Sequence, residues 1–278
     1  MKNTTRFLSV AFILGLMAPS GFALNPSKTY KDRPEKYNMA YTEYKVKTND
    51  GQAELNIWDF PCKSTKTTAL VLICHNGEGN MADYLRRVDQ FQSNYNVVIF
   101  DYRGFGASSD FAIDTNMYIY PHFLDDVQTM IDWTRSKHVQ TFYMYGWGIG
   151  AGLALGVGWN RVEVKKIIAD TPFLSIEDLE KRFSSWDTPM EVPFAGYEKR
   201  FEPIYAMDIA PQKFMLGVKL IIGSNDILFK GDDYKDLIAK QKKFVNKDIY
   251  VVENPDRKDN FTMDKAAYYA VVMGFFTE

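Results

Sequence analysis

The apolar positions of this 278-residue chain fall into two alternating rhythms. Short apolar runs bounded by turn residues occur at Ala69–Cys74, Val97–Asp101, Thr141–Tyr145, Lys166–Ala169 and Lys219–Ile222. Runs of that length without alternation read as parallel strands buried on both faces. Two earlier runs, Tyr41–Thr48 and Gln52–Trp58, read as an opening hairpin, and Asp248–Val252 as a last strand. Between most of these runs the apolar residues recur every three to four positions. Met81, Tyr84, Leu85, Val88 and Phe91 make one such stripe, and Leu124, Val127, Met130 and Ile131 another. The spacing predicts helices over 81–92, 123–135, 175–183, 233–244 and 264–276, with a small-residue helix over 151–158. Strand and helix in alternation predict an α/β architecture with a mostly parallel sheet of about eight strands, flanked by helices. The stretch 175–216 is large enough only for a small cap insertion. Residues 24–40 are polar and proline-bearing, and are expected to drape over the surface.

The first residues break this pattern. Lys2 and Arg6 precede an apolar run, Phe7–Met17, which is followed by small residues at Gly21 and Ala23. That is the layout of a secretory signal peptide with a cut after Ala23, leaving 24–278 as one domain. The run is shorter than the roughly 20 residues that span a bilayer, and no later run is long enough either. A cut there implies a secreted or periplasmic protein. Composition fits one large single-core domain, with 46% apolar, 24% charged and 15% aromatic residues. Loss of Lys2 and Arg6 leaves the remainder more acidic than the whole chain's net −2, which argues against nucleic-acid binding. Cys62 and Cys74 are expected at opposite ends of the sheet, too far apart for a disulfide, and read as two buried thiols. No grouping of the three histidines with Cys, Asp or Glu has zinc-site spacing, and no cofactor is expected.

Candidate chemistry begins at Gly146-Trp147-Gly148-Ile149-Gly150, between the predicted strand ending at Tyr145 and the predicted helix at 151. Strand, tight turn and helix are the setting of the Gly-x-Ser-x-Gly nucleophile elbow. Both flanking glycines are here, and the serine position holds Gly148. Three further motifs extend the likeness: His75-Asn76-Gly77-Glu78-Gly79-Asn80, Asp101-Tyr102-Arg103-Gly104-Phe105-Gly106-Ala107-Ser108, and Thr171-Pro172-Phe173-Leu174-Ser175-Ile176. Together they resemble the α/β-hydrolase superfamily, in its lid-poor branch of prolyl-oligopeptidase-like and esterase-like serine hydrolases. The resemblance runs from about Val46 to Phe276.

Hydrolysis by a Ser-His-acid triad needs a hydroxyl to attack, an imidazole to take its proton and a carboxylate to orient the imidazole. The resemblance assigns the nucleophile position to Gly148, the acid to Asp226 and the histidine to Asp259, or less well to Lys258. Glycine has nothing with which to attack, and a carboxylate is too weak a base for a hydroxyl at neutral pH. The oxyanion amides would be Ile149 and either Asn76 or Gly77. Glu78 in the same loop is expected to face solvent. His75 reads as structural, His122 as the one histidine that could reach the cleft, and His138 as lying at the far end. Ser108, Ser109 and Ser224 lie in cleft-side loops without an elbow. Trp147, Tyr102, Phe105, Phe173 and Trp186 read mainly as packing, with some available to line a pocket. The expectation is a pseudohydrolase that binds a small molecule, a peptide or a partner protein in the ancestral cleft. The alternative is an esterase or peptidase with a non-standard nucleophile.

Overall fold

The computed structural model describes residues 24–64, 69–138, 142–187, 189–209, 214–239, 248–254 and 259–278. The signal-peptide segment 1–23, Lys258 and the end of the helix expected over 233–244 lie outside the described residues. All eight expected strands form: β1 Thr42–Lys47, β2 Glu54–Phe60, β3 Leu70–Cys74, β4 Asn96–Phe100, β5 Phe142–Trp147, β6 Val164–Asp170, β7 Gly217–Gly223 and β8 Asp248–Val252. They lie side by side in the order β1-β2-β4-β3-β5-β6-β7-β8. β1 and β2 are antiparallel to their neighbours, and every pairing from β4 to β8 is parallel. β2 starts two residues later than its pattern suggested. Gln52 and Ala53 belong to the turn instead, where the Gln52 N–H donates to the Asp50 carboxylate and the Ala53 N–H to Thr48 Oγ1.

The period of two along a strand sorts side chains to opposite faces. Leu70, Leu72 and Cys74 join one core, and Val71 and Ile73 the other. The first core is closed by α2 His122–Lys137, α3 Ile149–Gly158 and α4 Ile176–Phe183. The second is closed by α1 Leu85–Gln92 and α8 Lys265–Thr277. Short helices α5 Pro203–Ala206 and α7 Asn260–Met263, and α6 Gly231–Ala239, complete the set. A single 3-10 turn, Met81–Tyr84, takes the first residues of the stripe expected to start α1. The cap insertion is small, consisting of α4, a 3-10 turn at Lys199–Phe201, α5 and a bridge from Glu191 to Met117.

Two expectations need correction. Cys62 and Cys74 are both free, but only Cys74 is buried. Residues 24–40 also do more than drape. Asn25–Pro26 pairs in parallel with Glu78–Gly79, and the Leu24 side chain is buried in the first core. The sequence hid this because the partners of Leu24, Asn25 and Pro26 lie about fifty positions further along the chain.

Candidate functional site

β5 runs into α3 through one residue, Gly148, with φ 57° and ψ −124°. A side chain strains at positive φ, whereas glycine adopts it freely. The two neighbouring glycines are fixed by close approach: a Cβ on Gly146 would lie 2.2 Å from Gly150 O, and one on Gly150 would lie 2.1 Å from Cys74 O. The turn is therefore an elbow in backbone as well as in sequence. Its central residue is half-exposed, and a Cβ there would meet only Asn76, at 3.1 Å. Of the expected oxyanion amides, Gly77 N–H is already used, donating to His75 Nδ1 at 3.2 Å. Asn76 N–H and Ile149 N–H have no acceptor among the described residues. The Asn76 side chain is fixed by the Tyr84 hydroxyl and by Glu78 N–H.

Asp259, the assigned histidine position, pairs with Arg87. Arg87 is buried, with its guanidinium 4.6 Å from the Trp147 ring centre and 4.5 Å from that of Phe261. The ion pair closes over the place an imidazole would need. Beside it opens a cavity of about 420 Å³, walled by Trp147, Tyr84, Arg87 and Asp259 on one side and by Asn25 and Pro26 on another. Glu78 is exposed, as expected, and borders the same cavity.

Asp226 follows β7, and its Oδ1 accepts from Leu228 N–H and Phe229 N–H, both at 2.8 Å. The carboxylate thus caps its own turn. At the end of β6, Asp170 meets the elbow backbone, its carbonyl accepting Gly148 N–H at 2.9 Å. Its buried carboxylate receives Asn260 Nδ2 at 2.7 Å and the Tyr268 hydroxyl at 2.6 Å. Asn254 and Tyr145 extend the network. Burial pushes Asp170 up to about 6.

The other candidates are placed as follows. His75 is fully buried among Tyr102, Phe105 and Tyr84, and burial lowers it to about 3. His122, at the start of α2, lies against Phe111, with ring centres 4.9 Å apart and the planes tilted at 56°. His138 pairs with Asp59. Ser108 and Ser109 accept from the N–H groups of Asn56 and Glu54, and Ser224 from that of Asn254. Tyr102, Phe105 and Phe173 are core, and Trp147 reaches the cavity. No group of three or more His, Cys, Asp or Glu fit to hold a metal occurs among the described residues.

Known proteins place this geometry. Residues 65–192 match the family model described as serine aminopeptidase, S33. The chain superposes on Pyrococcus furiosus esterase Pf2001 with a TM-score of 0.70 at 17% identity, covering 92% of this chain and 97% of that one. The chain is an α/β-hydrolase-fold protein. A serine hydrolase without a lid from Xanthomonas campestris shares the fold more loosely, with a TM-score of 0.55 at 15% identity over 84% and 92% of the two chains. By sequence the chain is similar to protein bem46 of Schizosaccharomyces pombe, 26% identical over 59% of this chain and 54% of that one. It is also similar to the uncharacterized protein YfhR of Escherichia coli, 26% identical over 59% and 55%. The match thus spans about half the length of these two relatives. YfhR of Salmonella typhimurium aligns at 24% identity over 88% of each chain.

Within the α/β-hydrolase fold, sequence reasoning missed two site features. Arg87 went unread, though it lies three residues after Tyr84 and four before Phe91 on the apolar stripe, where a buried charge calls for a partner. The partner, Asp259, lies 172 positions away and had no local signal. Docking of Leu24 on the Gly77 loop had none either.

Proposed function

We propose that this is an exported α/β-hydrolase-fold protein that does not perform serine-hydrolase chemistry and instead binds a small molecule, a peptide or a partner protein in the cleft beside the elbow. One observation carries the reading: the elbow residue Gly148 has no side chain to attack with. The Arg87–Asp259 pair supports it, since it fills the position assigned to the general base. The cavity beside Trp147 supplies room for a ligand. The arrangement of Lys2, Arg6 and the apolar run after them supports export, with Leu24 as the first mature residue.

A second reading, a hydrolase with another nucleophile, draws on the half-exposed elbow and the Asn76 and Ile149 amides. A fluorophosphonate probe with p-nitrophenyl ester turnover separates the two. The wild type is expected to take up no label and to show no turnover above buffer. Stoichiometric labelling of any side chain in the cleft would end the binding-protein reading.

A further inference from the structure

The segment Leu24–Tyr30 is pinned by side chains at both ends and held between by hydrogen bonds and the Lys28 side chain. At one end Leu24 is buried against Gly77 and Ile149, so closely that a Cβ on Gly77 would meet Leu24 Cδ2 at 2.6 Å and Ile149 Cδ1 at 2.7 Å. At the other end the Tyr30 hydroxyl donates to the Asp101 carboxylate and accepts from Asn56 Nδ2 and Ala107 N–H. Between them Lys28 Nζ donates to Ser108 O at 2.8 Å and pairs with Asp110 at 3.0 Å, and the other bonds run to the main chain. Asn25 N–H donates to Gly77 O at 2.9 Å, Ser27 N–H to Gly79 O at 2.8 Å, and Gly106 N–H to Ser27 O at 2.9 Å. Asn80 Nδ2 donates to Ser27 O and Thr29 O. Residues 25–29 are themselves exposed or half-exposed. A short, largely exposed segment with one fully buried apolar side chain opens locally, without unfolding of the domain.

We propose that Leu24–Tyr30 is a releasable strap that gates the cavity beside Trp147. Docked, Asn25, Pro26, Ser27 and Thr29 make one wall of that cavity. Released, the wall is gone and the Glu78–Gly79 edge is bare. A ligand that fits the 420 Å³ cavity binds the docked form and slows release. A larger one enters only when the strap is off. The inference rests on the reading of this cleft as a binding site and adds how access to it is controlled.

Thiol labelling of the full chain, with Cys62→Ser to remove the half-buried native cysteine, tests it. In Leu24→Cys the new thiol is expected to react with N-ethylmaleimide at least about 100-fold faster than native Cys74, which reports opening of the main sheet. Adding Tyr30→Phe, which removes the donated bond to Asp101, should raise that rate about tenfold and leave Cys74 unchanged. Because Leu24→Cys itself loosens the strap, amide exchange of Asn25 and Ser27 in the wild type provides a second measure, and both should exchange before the amides of β3 and β5. In Tyr84→Cys, a small maleimide should react freely and a bulky dye maleimide only at the strap's release rate. Equal rates for the strap thiol and Cys74 would overturn the releasable strap. Equal rates for the two reagents at position 84 would overturn the gate. A phosphonate adduct on the wild type would instead sink the non-catalytic reading and leave these rates as they are.

Discussion

A backbone φ of 57° at Gly148 gives a side chain there a cost that can be measured. A serine at 148 would keep the turn but hold a non-glycine residue at positive φ, about 3.1 Å from Asn76. Gly148→Ser is therefore expected to lower unfolding free energy by about 1–3 kcal/mol, read from the urea midpoint at constant slope. A gain in stability would mean that the elbow is relaxed. Chemistry needs a second change. Gly148→Ser with Asp259→His should give ester turnover that neither single variant shows, although the new imidazole must share its space with an unpaired Arg87. That arginine sets a further expectation. Removing one partner of a buried ion pair leaves a stranded charge, and fully buried cases cost about 3–5 kcal/mol. Asp259 retains some exposure, so Asp259→Asn should cost less, about 2 kcal/mol. Arg87→Leu with Asp259→Asn should cost less than the sum of the two single changes. Strict additivity would show that the pair contributes no coupling.

Elements were legible where their signal is local. β3 and β5 declared themselves because every residue of β3, and every residue of β5 but Trp147, is buried, which leaves apolar residues little competition. The helix starts at α4 and α8 were legible because Ser175 and Asp264 cap them. The elbow was legible because a strand, two close-approach glycines and a small-residue helix are contiguous in the chain. What stayed hidden depends on distant partners: the pairing of Asn25–Pro26 with Glu78–Gly79, and the closure of Asp259 on Arg87. Asp226 illustrates the limit most clearly. Its place after β7 was readable, whereas its carboxylate turning back on Leu228 and Phe229 was not. The leader expected over residues 1–23 is read from a signal of the same local kind. Expressed with its first 23 residues in a secreting host, the protein is expected to appear outside the cytoplasm with Leu24 as its first residue. Amino-terminal sequencing of the exported product checks this, and a mature chain still beginning at Met1 would refute the cleavage.

At the scale of the whole molecule, three acids among the described residues are fully buried: Asp101 bonded to Tyr30, Asp126 against Arg103 and Asp170 below the elbow. Burial pushes each up to about 6 in the folded protein, from an ordinary value of 3.8. Each therefore holds its proton in the folded chain across a window in which the unfolded chain has lost it. Their contribution is fully present below about pH 4 and disappears as pH rises through about 6. His75 acts in the opposite sense. Lowered to about 3 by burial, it favours folding more as pH rises toward the ordinary histidine range, and His122 is shifted in the same direction. Asp50 is held down to about 2 by its Thr48, Gln52 and Arg103 contacts, against the opposing effect of burial, and it matters only below about pH 4. Between pH 4.5 and 5.5 the three acids lower stability as pH rises, while the two histidines and the lowered carboxylates of Glu35, Glu43 and Glu163 raise it, and the net slope is the balance of the two sets. Urea midpoints at half-unit intervals would show it. Asp170→Asn isolates one of the three groups. The new amide can accept from Tyr268, and the side chains of Asn260 and Asn254 can turn over to match it. The variant's slope should then be more positive, by about 1 kcal/mol per pH unit across that window. An unchanged slope would mean that Asp170 is already ionised in the folded protein, with Tyr268 and Asn260 compensating fully for its burial.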